Sequence, residues 1–272
     1  MFTLKNDELE VTLLDPVADR ERLHTRYCAG GYIFQVTDAK HGPLMTGPTY
    51  PESFNTYDGQ GIPDAFNLGP LREPGRASAE SLIIGVGVCD LNEDRVVSFD
   101  PWEVQLEDNV IHMTTIQSYQ GFSLKLTRIV ALRGRTIHSS IRLKNTGGLA
   151  IPVCWFPHPF YPQPETGELC RFNVPVSFPE NDGYEFGENG FINRKNWPWA
   201  YAGPYQALDH NAQANLVVLQ RHPALGMVSA ICSYVPALLP IWGNTHTFSW
   251  EPFFEKSAAA GQELHWWIDY NF

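Results

Sequence analysis

Residues 145–162 read Asn145-Thr-Gly-Gly-Leu-Ala-Ile-Pro-Val-Cys-Trp-Phe-Pro-His-Pro-Phe-Tyr-Pro162, and this stretch decides the predicted fold. The pattern indicates a strand end, a Gly-Gly turn and a second strand rich in β-branched and aromatic residues. The second strand runs into His158, which lies between two prolines. Proline fixes its own φ and restricts the residue before it, so the backbone at His158 is stiff. A stiffly held imidazole suits proton transfer, because a general acid must stay within hydrogen-bond reach of its target.

Further strand-like runs lie on both sides of this stretch, at residues 81–89, 110–119, 122–132, 136–145, 216–220, 227–232 and 264–272. In the fourth of them Ile137, Ile141 and Leu143 fall on one face, opposite His138 and Arg142. Such runs, separated by turn signals, predict an antiparallel sandwich or barrel. Residues 16–23 favour one short helix, and residues 163–205 read as a long loop-rich segment.

Composition limits the classes of protein to consider. The 272 residues suit one large β domain spanning 1–272, and the net charge of −11 with no Lys/Arg run argues against nucleic acid as a partner. No apolar run reaches the ~18 residues of a membrane helix, and the first residues lack a secretory core, so a cytoplasmic protein without membrane attachment is expected. Five widely spaced cysteines without a CxxC pair predict reduced thiols rather than a disulfide framework or zinc site. Oligomeric state has no signal in the sequence.

Glu251 is the second candidate for acid–base chemistry. It occurs in Phe248-Ser-Trp-Glu-Pro-Phe-Phe-Glu255, where aromatic neighbours desolvate the carboxylate and raise its pKa towards that of a base near neutral pH. Glu255 is expected to be solvent-exposed. A structural His158 that bonds a carbonyl and a salt-bridged Glu251 are the alternatives, and the sequence leaves them open.

Candidate binding residues are more scattered. Trp197, Trp199 and Tyr201 could form a platform for the apolar faces of sugars, or simply pack in the core. Asp209 reads as a turn residue or a hydroxyl-binding acid. Arg26, Arg72 and Arg76 are open between ligand binding and surface decoration, and His24 is assigned to decoration.

The motif order resembles the aldose 1-epimerase (galactose mutarotase-like) family. The resemblance rests on Asn145-x-Gly, Ile151-Pro, His158-Pro-Phe, the run Ile84-Gly-Val-Gly-Val, and a C-terminal series of Trp242, Ser249-Trp-Glu-Pro-Phe and Gly261-Gln-Glu-Leu, in order over residues 20–272. The chain departs from better-known members at the acid, where they carry Asn-x-x-x-His-x-Tyr-Phe, and their second substrate histidine has no match here.

The resemblance implies an all-β, large antiparallel β-supersandwich and an isomerase that interconverts sugar anomers without metal or cofactor. It implies His158 as general acid and Glu251 as general base, on opposite sides of one pyranose ring. Trp242, Asp209, Arg26 and either Arg72 or Arg76 are then the substrate-binding candidates. Two alternatives are a hexose-phosphate mutarotase, for which Arg171 would be a further cation, and a non-catalytic sugar-binding protein.

Overall fold

The computed structural model describes residues 1–49, 59–72, 79–199 and 204–272, and in these residues antiparallel strands dominate. The largest sheet has ten strands in the order β17-β18-β15-β20-β21-β25-β12-β11-β10-β9. These strands are β9 (Glu103–Glu107), β10 (Val110–Tyr119), β11 (Phe122–Arg133), β12 (Thr136–Asn145), β15 (Glu168–Phe172), β17 (Tyr184–Phe186), β18 (Ile192–Arg194), β20 (Val217–His222), β21 (Gly226–Cys232) and β25 (Glu263–Asn271). The predicted all-β antiparallel architecture is confirmed.

Four smaller sheets accompany it in the described residues. A five-stranded sheet has the order β14-β23-β22-β19-β16, formed by β14 (Tyr161–Pro162), β16 (Val176–Ser177), β19 (Gln206–His210), β22 (Leu239–Gly243) and β23 (Thr247–Trp250). A three-stranded sheet joins β24 (Phe254–Ala258), β13 (Ile151–Pro157) and β5 (Asp64–Ala65). The other two contain β6 (Glu80–Ile83), β7 (Gly87–Asp90) and β8 (Arg95–Phe99), and β1 (Phe2–Lys5), β2 (Leu9–Leu13), β3 (Ile33–Asp38) and β4 (Gly42–Pro43).

Alternation along the long strands separates core from surface. In β11 Leu124, Leu126 and Val130 are buried, whereas Lys125 between the two leucines is exposed. Successive side chains point to opposite faces of a strand, so this pattern covers one face of the ten-stranded sheet and leaves the other in solvent. Predicted strands 110–119 and 136–145 match β10 and β12 residue for residue.

Three local predictions need correction. The segment 16–23 forms turns and one 3₁₀ turn at Arg20–Arg22 rather than a helix. The run 81–89 is a hairpin of β6 and β7, because Gly85 and Gly87 adopt φ of 79° and 138°, which turn the chain back on itself. The loop-rich segment contains the short strands β15 to β18.

Two further observations concern the chemistry of the chain as a whole. All five cysteines are free thiols, four of them buried, as expected. Within the described ranges there is no helix with the length and apolar character needed to cross a membrane.

Candidate active site

The backbone at His158 is fixed by strand pairing as well as by its prolines. Pro157 at the end of β13 pairs with Asp64 of β5, and the His158 amide donates a 2.8 Å hydrogen bond to the Pro63 carbonyl. The ring stacks on Phe160 with centroids 4.4 Å apart and meets the edge of Trp242 at 5.7 Å. The imidazole is therefore buried and held between aromatic walls.

Strand β23 and the residue directly after it supply polar partners to both nitrogens of this ring. The Ser249 hydroxyl lies 3.1 Å from Nδ1, and Oε1 of Glu251 lies 3.3 Å from Nε2. Residues two apart on a strand share a face, so one strand can reach both sides of the imidazole. Ser249 was not among the residues predicted from sequence, although its position two residues before Glu251 would have indicated it.

Burial disfavours the charged form of each member of the pair. It raises the pKa of the Glu251 carboxyl from 4.5 to about 8, against a smaller opposing effect of the Arg26 guanidinium. It also lowers the pKa of His158 well below 6.5, and Arg26 lowers that pKa further. At neutral pH the pair therefore holds one proton, on the carboxyl group, and the imidazole is neutral.

A buried ion pair supports the strand beneath His158. Arg128 on β11 donates to Asp64 through two hydrogen bonds, Nη1 to Oδ1 at 2.8 Å and Nη2 to Oδ2 at 2.6 Å. Its Nη1 also donates to the Gly30 carbonyl at 2.9 Å. Both side chains are buried, so this bidentate contact ties β5, and through β5 the end of β13, to the ten-stranded sheet.

Glu251 lines a cavity of about 650 Å³. Its apolar wall includes Phe156 and Phe253, whose rings stack with centroids 4.5 Å apart. The charged groups in the described lining are Arg26, Asp94, Glu251 and Glu255. The remaining described lining is Thr25, Asn67, Leu68, Cys154, Tyr205 and Leu238. This mixture of aromatic faces and hydrogen-bonding groups can hold a polyhydroxylated ring.

The other predicted residues fall in different places. Arg26 lines the cavity, and Trp242 contacts the His158 ring. Asp209 is exposed on β19, which pairs with β22, the strand that carries Trp242. Arg72 is exposed, and Arg76 lies outside the described residues. Arg171 lines a different surface depression, at β15 and β18.

His158 and Glu251 are closer together than expected. Instead of facing each other across a ring, the imidazole and carboxylate are in direct contact at 3.3 Å, too close for a pyranose between them. This arrangement still suits a hemiacetal, because its ring oxygen and its anomeric oxygen are bonded to the same carbon. Glu251 lines the cavity and His158 is in contact with it, so the two adjacent groups could together serve both oxygens.

The tryptophan platform does not form as predicted. Trp199 is buried and donates from Nε1 to the Lys195 carbonyl at 3.0 Å. Trp197 is exposed, but the Arg194 guanidinium lies 4.0 Å from its ring centroid. Tyr201 lies outside the described residues. The aromatic side chains at the cavity are instead Phe156, Phe253 and Tyr205. Across the described chain no group of three or more His, Cys, Asp or Glu is arranged to hold a metal.

The sheets and their concave site define a galactose mutarotase-like fold. Three solved structures show the similarity, each matching nearly the full length of both chains. A galactose mutarotase related enzyme from Lactobacillus acidophilus has a TM-score of 0.66 at 12% identity, covering 99% of this chain and 96% of that one. A galactose mutarotase-like protein from Lactobacillus casei has 0.60 at 13%, covering 100% and 99%. An aldose epimerase homologue from C. elegans has 0.53 at 10%, covering 99% and 97%.

Sequence comparison adds no further relative, since neither a protein-family model nor a curated protein sequence matches the chain. At these identities the similarity shows the fold alone. The resemblance drawn from the motifs is confirmed at that level, as a divergent example of the fold.

Proposed function

We propose that this protein is an aldose 1-epimerase-like isomerase that interconverts the anomers of a free sugar. The observation that carries the proposal is the contact between His158 and Glu251 at a cavity large enough for a pyranose. Coarser support comes from the fold, which is shared with mutarotase-related proteins. The contact supplies what the reaction requires, one proton donor and one proton acceptor beside the same carbon.

Ring opening needs one proton removed and one added. A base takes the proton of the anomeric hydroxyl, an acid protonates the ring oxygen, and the bond between C1 and the ring oxygen breaks to leave an aldehyde. With the resting proton on the carboxyl group, Glu251 donates to the ring oxygen and the Nε2 atom of His158 accepts from the hydroxyl. The pair is then charged, as imidazolium and carboxylate.

Ring closure runs the same transfers backwards. After rotation about C1–C2, Glu251 removes the proton from the chain hydroxyl as it attacks the opposite face of the aldehyde, and His158 protonates the carbonyl oxygen. The resting pair is restored without metal, cofactor or net proton exchange. The family resemblance implies the opposite assignment for ring opening, with Glu251 taking the anomeric proton and His158 protonating the ring oxygen. The reversal proposed here follows from the directions of the two pKa shifts.

The charges at the cavity favour an uncharged sugar over a hexose phosphate. Its described lining residues carry the guanidinium of Arg26 against the carboxyl groups of Asp94, Glu251 and Glu255. A phosphate dianion is held in proteins by converging cationic donors. Arg171, which the phosphate alternative also invoked, lies at another depression.

Anomer exchange of pure α-anomers tests the proposal directly. Wild-type protein should accelerate the approach to equilibrium for at least one of glucose, galactose, mannose, xylose or arabinose, followed by polarimetry and by NMR exchange spectroscopy. Calorimetry on the same sugars separates the alternatives. Binding without acceleration across the panel would make this a sugar-binding protein, and neither binding nor acceleration would remove the proposal.

A further inference from the structure

A second cavity, of about 490 Å³, lies on the outer face of the ten-stranded sheet. It is lined by side chains of β10, β11, β12 and β25, among them Lys125, Thr127, Arg142 and Lys144. This cavity and the candidate active site lie on opposite faces of the sheet. Along β11, Lys125 and Thr127 point away from the core, whereas the buried Arg128 points inward and donates a hydrogen bond to Asp64. The cavity is thus a distinct feature of the molecule.

Like charges occupy neighbouring positions on this face of the sheet. Lys125 of β11 pairs in register with Lys144 of β12, and Thr127 pairs with Arg142. Directly opposed residues have Cβ atoms about 5 Å apart and diagonal neighbours about 7–8 Å apart, and like charges at these positions destabilise a sheet. All three cations therefore converge within one small area.

Nearby residues of the protein do not neutralise these three cations through ion pairs. Within the described residues no carboxylate forms an ion pair with Lys125, Arg142 or Lys144. Glu263 lines the cavity opposite Lys144 but stays beyond ion-pair distance. Burial lowers the pKa of the adjacent His265 first, and Arg142 and His138 lower it further against an opposing effect of Glu263. All of this occurs on a protein of net charge −11.

We propose that this cavity binds a phosphate monoester, with Lys125, Lys144 and Arg142 as its cationic donors. A tetrahedral dianion offers several strong acceptors at once, which suits two ammonium groups and a guanidinium from adjacent strands. The Thr127 hydroxyl and the His112 ring add further hydrogen-bonding groups to the lining, and Ile129 gives an apolar surface for the rest of the ester. The site is independent of the proposed isomerase activity.

Titration with two probes tests the assignment and its source. Inorganic phosphate and glycerol phosphate are added separately to ¹⁵N-labelled full-length protein in low-salt buffer, with glycerol as the uncharged control. Saturable shifts are expected at the amides of 125–127 and 142–144 with both phosphate probes and not with glycerol. Tighter binding of glycerol phosphate than of inorganic phosphate would identify an ester as the ligand, and the reverse order would overturn that part of the proposal.

Charge-matched variants complete the test. The double variant Lys125→Gln/Lys144→Gln should weaken binding by about tenfold or more, because it removes two of the three cationic donors. The control Lys40→Gln/Lys256→Gln removes the same charge from exposed sites outside the cavity and should bind as wild type does. Arg142→Gln is a second probe of the site if the double variant folds poorly. Equal weakening in the control, shifts confined to Arg26 and Trp242, or no saturable shift would each overturn the proposal.

Discussion

Ser249 on β23 and Glu251, the residue directly after that strand, contact the two ring nitrogens of the same imidazole, that of His158. Their spacing follows from strand alternation, and it fixes the ring from both ends. With the carboxyl proton directed at Nε2, the neutral ring carries its own hydrogen on Nδ1 and donates it to the Ser249 hydroxyl. Ser249 is therefore a positioning residue that selects the tautomer needed for proton transfer.

Ser249→Ala should change the tautomer of His158 and slow catalysis. The variant leaves a buried ring N–H without an acceptor, at a cost of about 1–3 kcal/mol, so the hydrogen should move to Nε2, where it opposes the proton of Glu251. Ring ¹⁵N shifts of His158 report this directly, alongside kcat for anomer exchange. Ser257→Ala, at an exposed position of β24, serves as the control. An unchanged Nδ1–H signal in Ser249→Ala would show that the hydroxyl does not set the tautomer.

Activity should decline above pH 8. The pair works with a single shared proton, and burial raises the pKa of Glu251 to about 8. Ionisation of the carboxyl group removes that proton while His158 stays neutral, so kcat/KM should fall as the pH rises through this value. The measurement is enzymatic anomer exchange from pH 6 to about pH 10, after subtraction of the buffer rate. A profile flat across the alkaline range would contradict the assigned proton.

The free energy of unfolding should depend on pH through the same carboxyl group, that of Glu251. Between pH 4.5 and about 8 the folded protein keeps Glu251 protonated while the unfolded chain ionises it, so this carboxyl group makes stability fall as pH rises. His158 acts in the opposite sense below pH 6.5, where the unfolded chain binds a proton that the folded ring does not. The interval from pH 6.5 to 8 therefore isolates Glu251.

Glu251→Gln should remove this dependence. Relative to the variant, wild-type protein should lose about 2 kcal/mol of unfolding free energy over that interval, at ~1.4 kcal/mol for each pH unit. Urea unfolding at both pH values measures the difference. Parallel changes in the two proteins would mean that the carboxyl group is already ionised when folded.

The Asp64–Arg128 pair should be needed for the geometry of His158. Asp64→Ala leaves a buried guanidinium uncompensated, and we expect a loss of about 3–5 kcal/mol in unfolding free energy. The double variant Asp64→Leu/Arg128→Met removes both charges and should recover much of that loss. Urea unfolding measures the loss of stability. The hydrogen-exchange rate of the His158 amide, which is bonded to the Pro63 carbonyl, reports the geometry at His158. A double variant no more stable than Asp64→Ala would contradict this account.

Much of the fold could be predicted because strand alternation is a local property. In residues 136–145 the alternation of apolar and polar residues predicts which side chains face the core, and β12 has the predicted bounds. The hairpin at 81–89 was missed because apolar content concealed the turn, which depends on positive φ at Gly85 and Gly87. Periodicity gives no information on backbone reversal inside a continuous apolar run.

The two main residues of the candidate site could be predicted from the sequence, but the distance between them could not. His158 and Glu251 stand out through flanking prolines and aromatics, but their 3.3 Å contact depends on the pairing of β14, which follows His158, with β23. Asp64 and Arg128 gave no local signal, since each looks like an ordinary charged residue until the fold buries both. Long-range burial of charge cannot be read from a single strand.

The most direct test of the account compares anomer exchange by wild type, His158→Gln, Glu251→Gln and Glu255→Gln on the best aldose of the panel. We expect His158→Gln and Glu251→Gln each to lower kcat by about 10²–10⁴. A variant with both substitutions should be no slower than the slower of the two single variants, because the two residues act as one unit. Glu255→Gln, an exposed residue of the same cavity, should keep most of the rate. Full activity in both His158→Gln and Glu251→Gln, with folded spectra, would contradict the central claim.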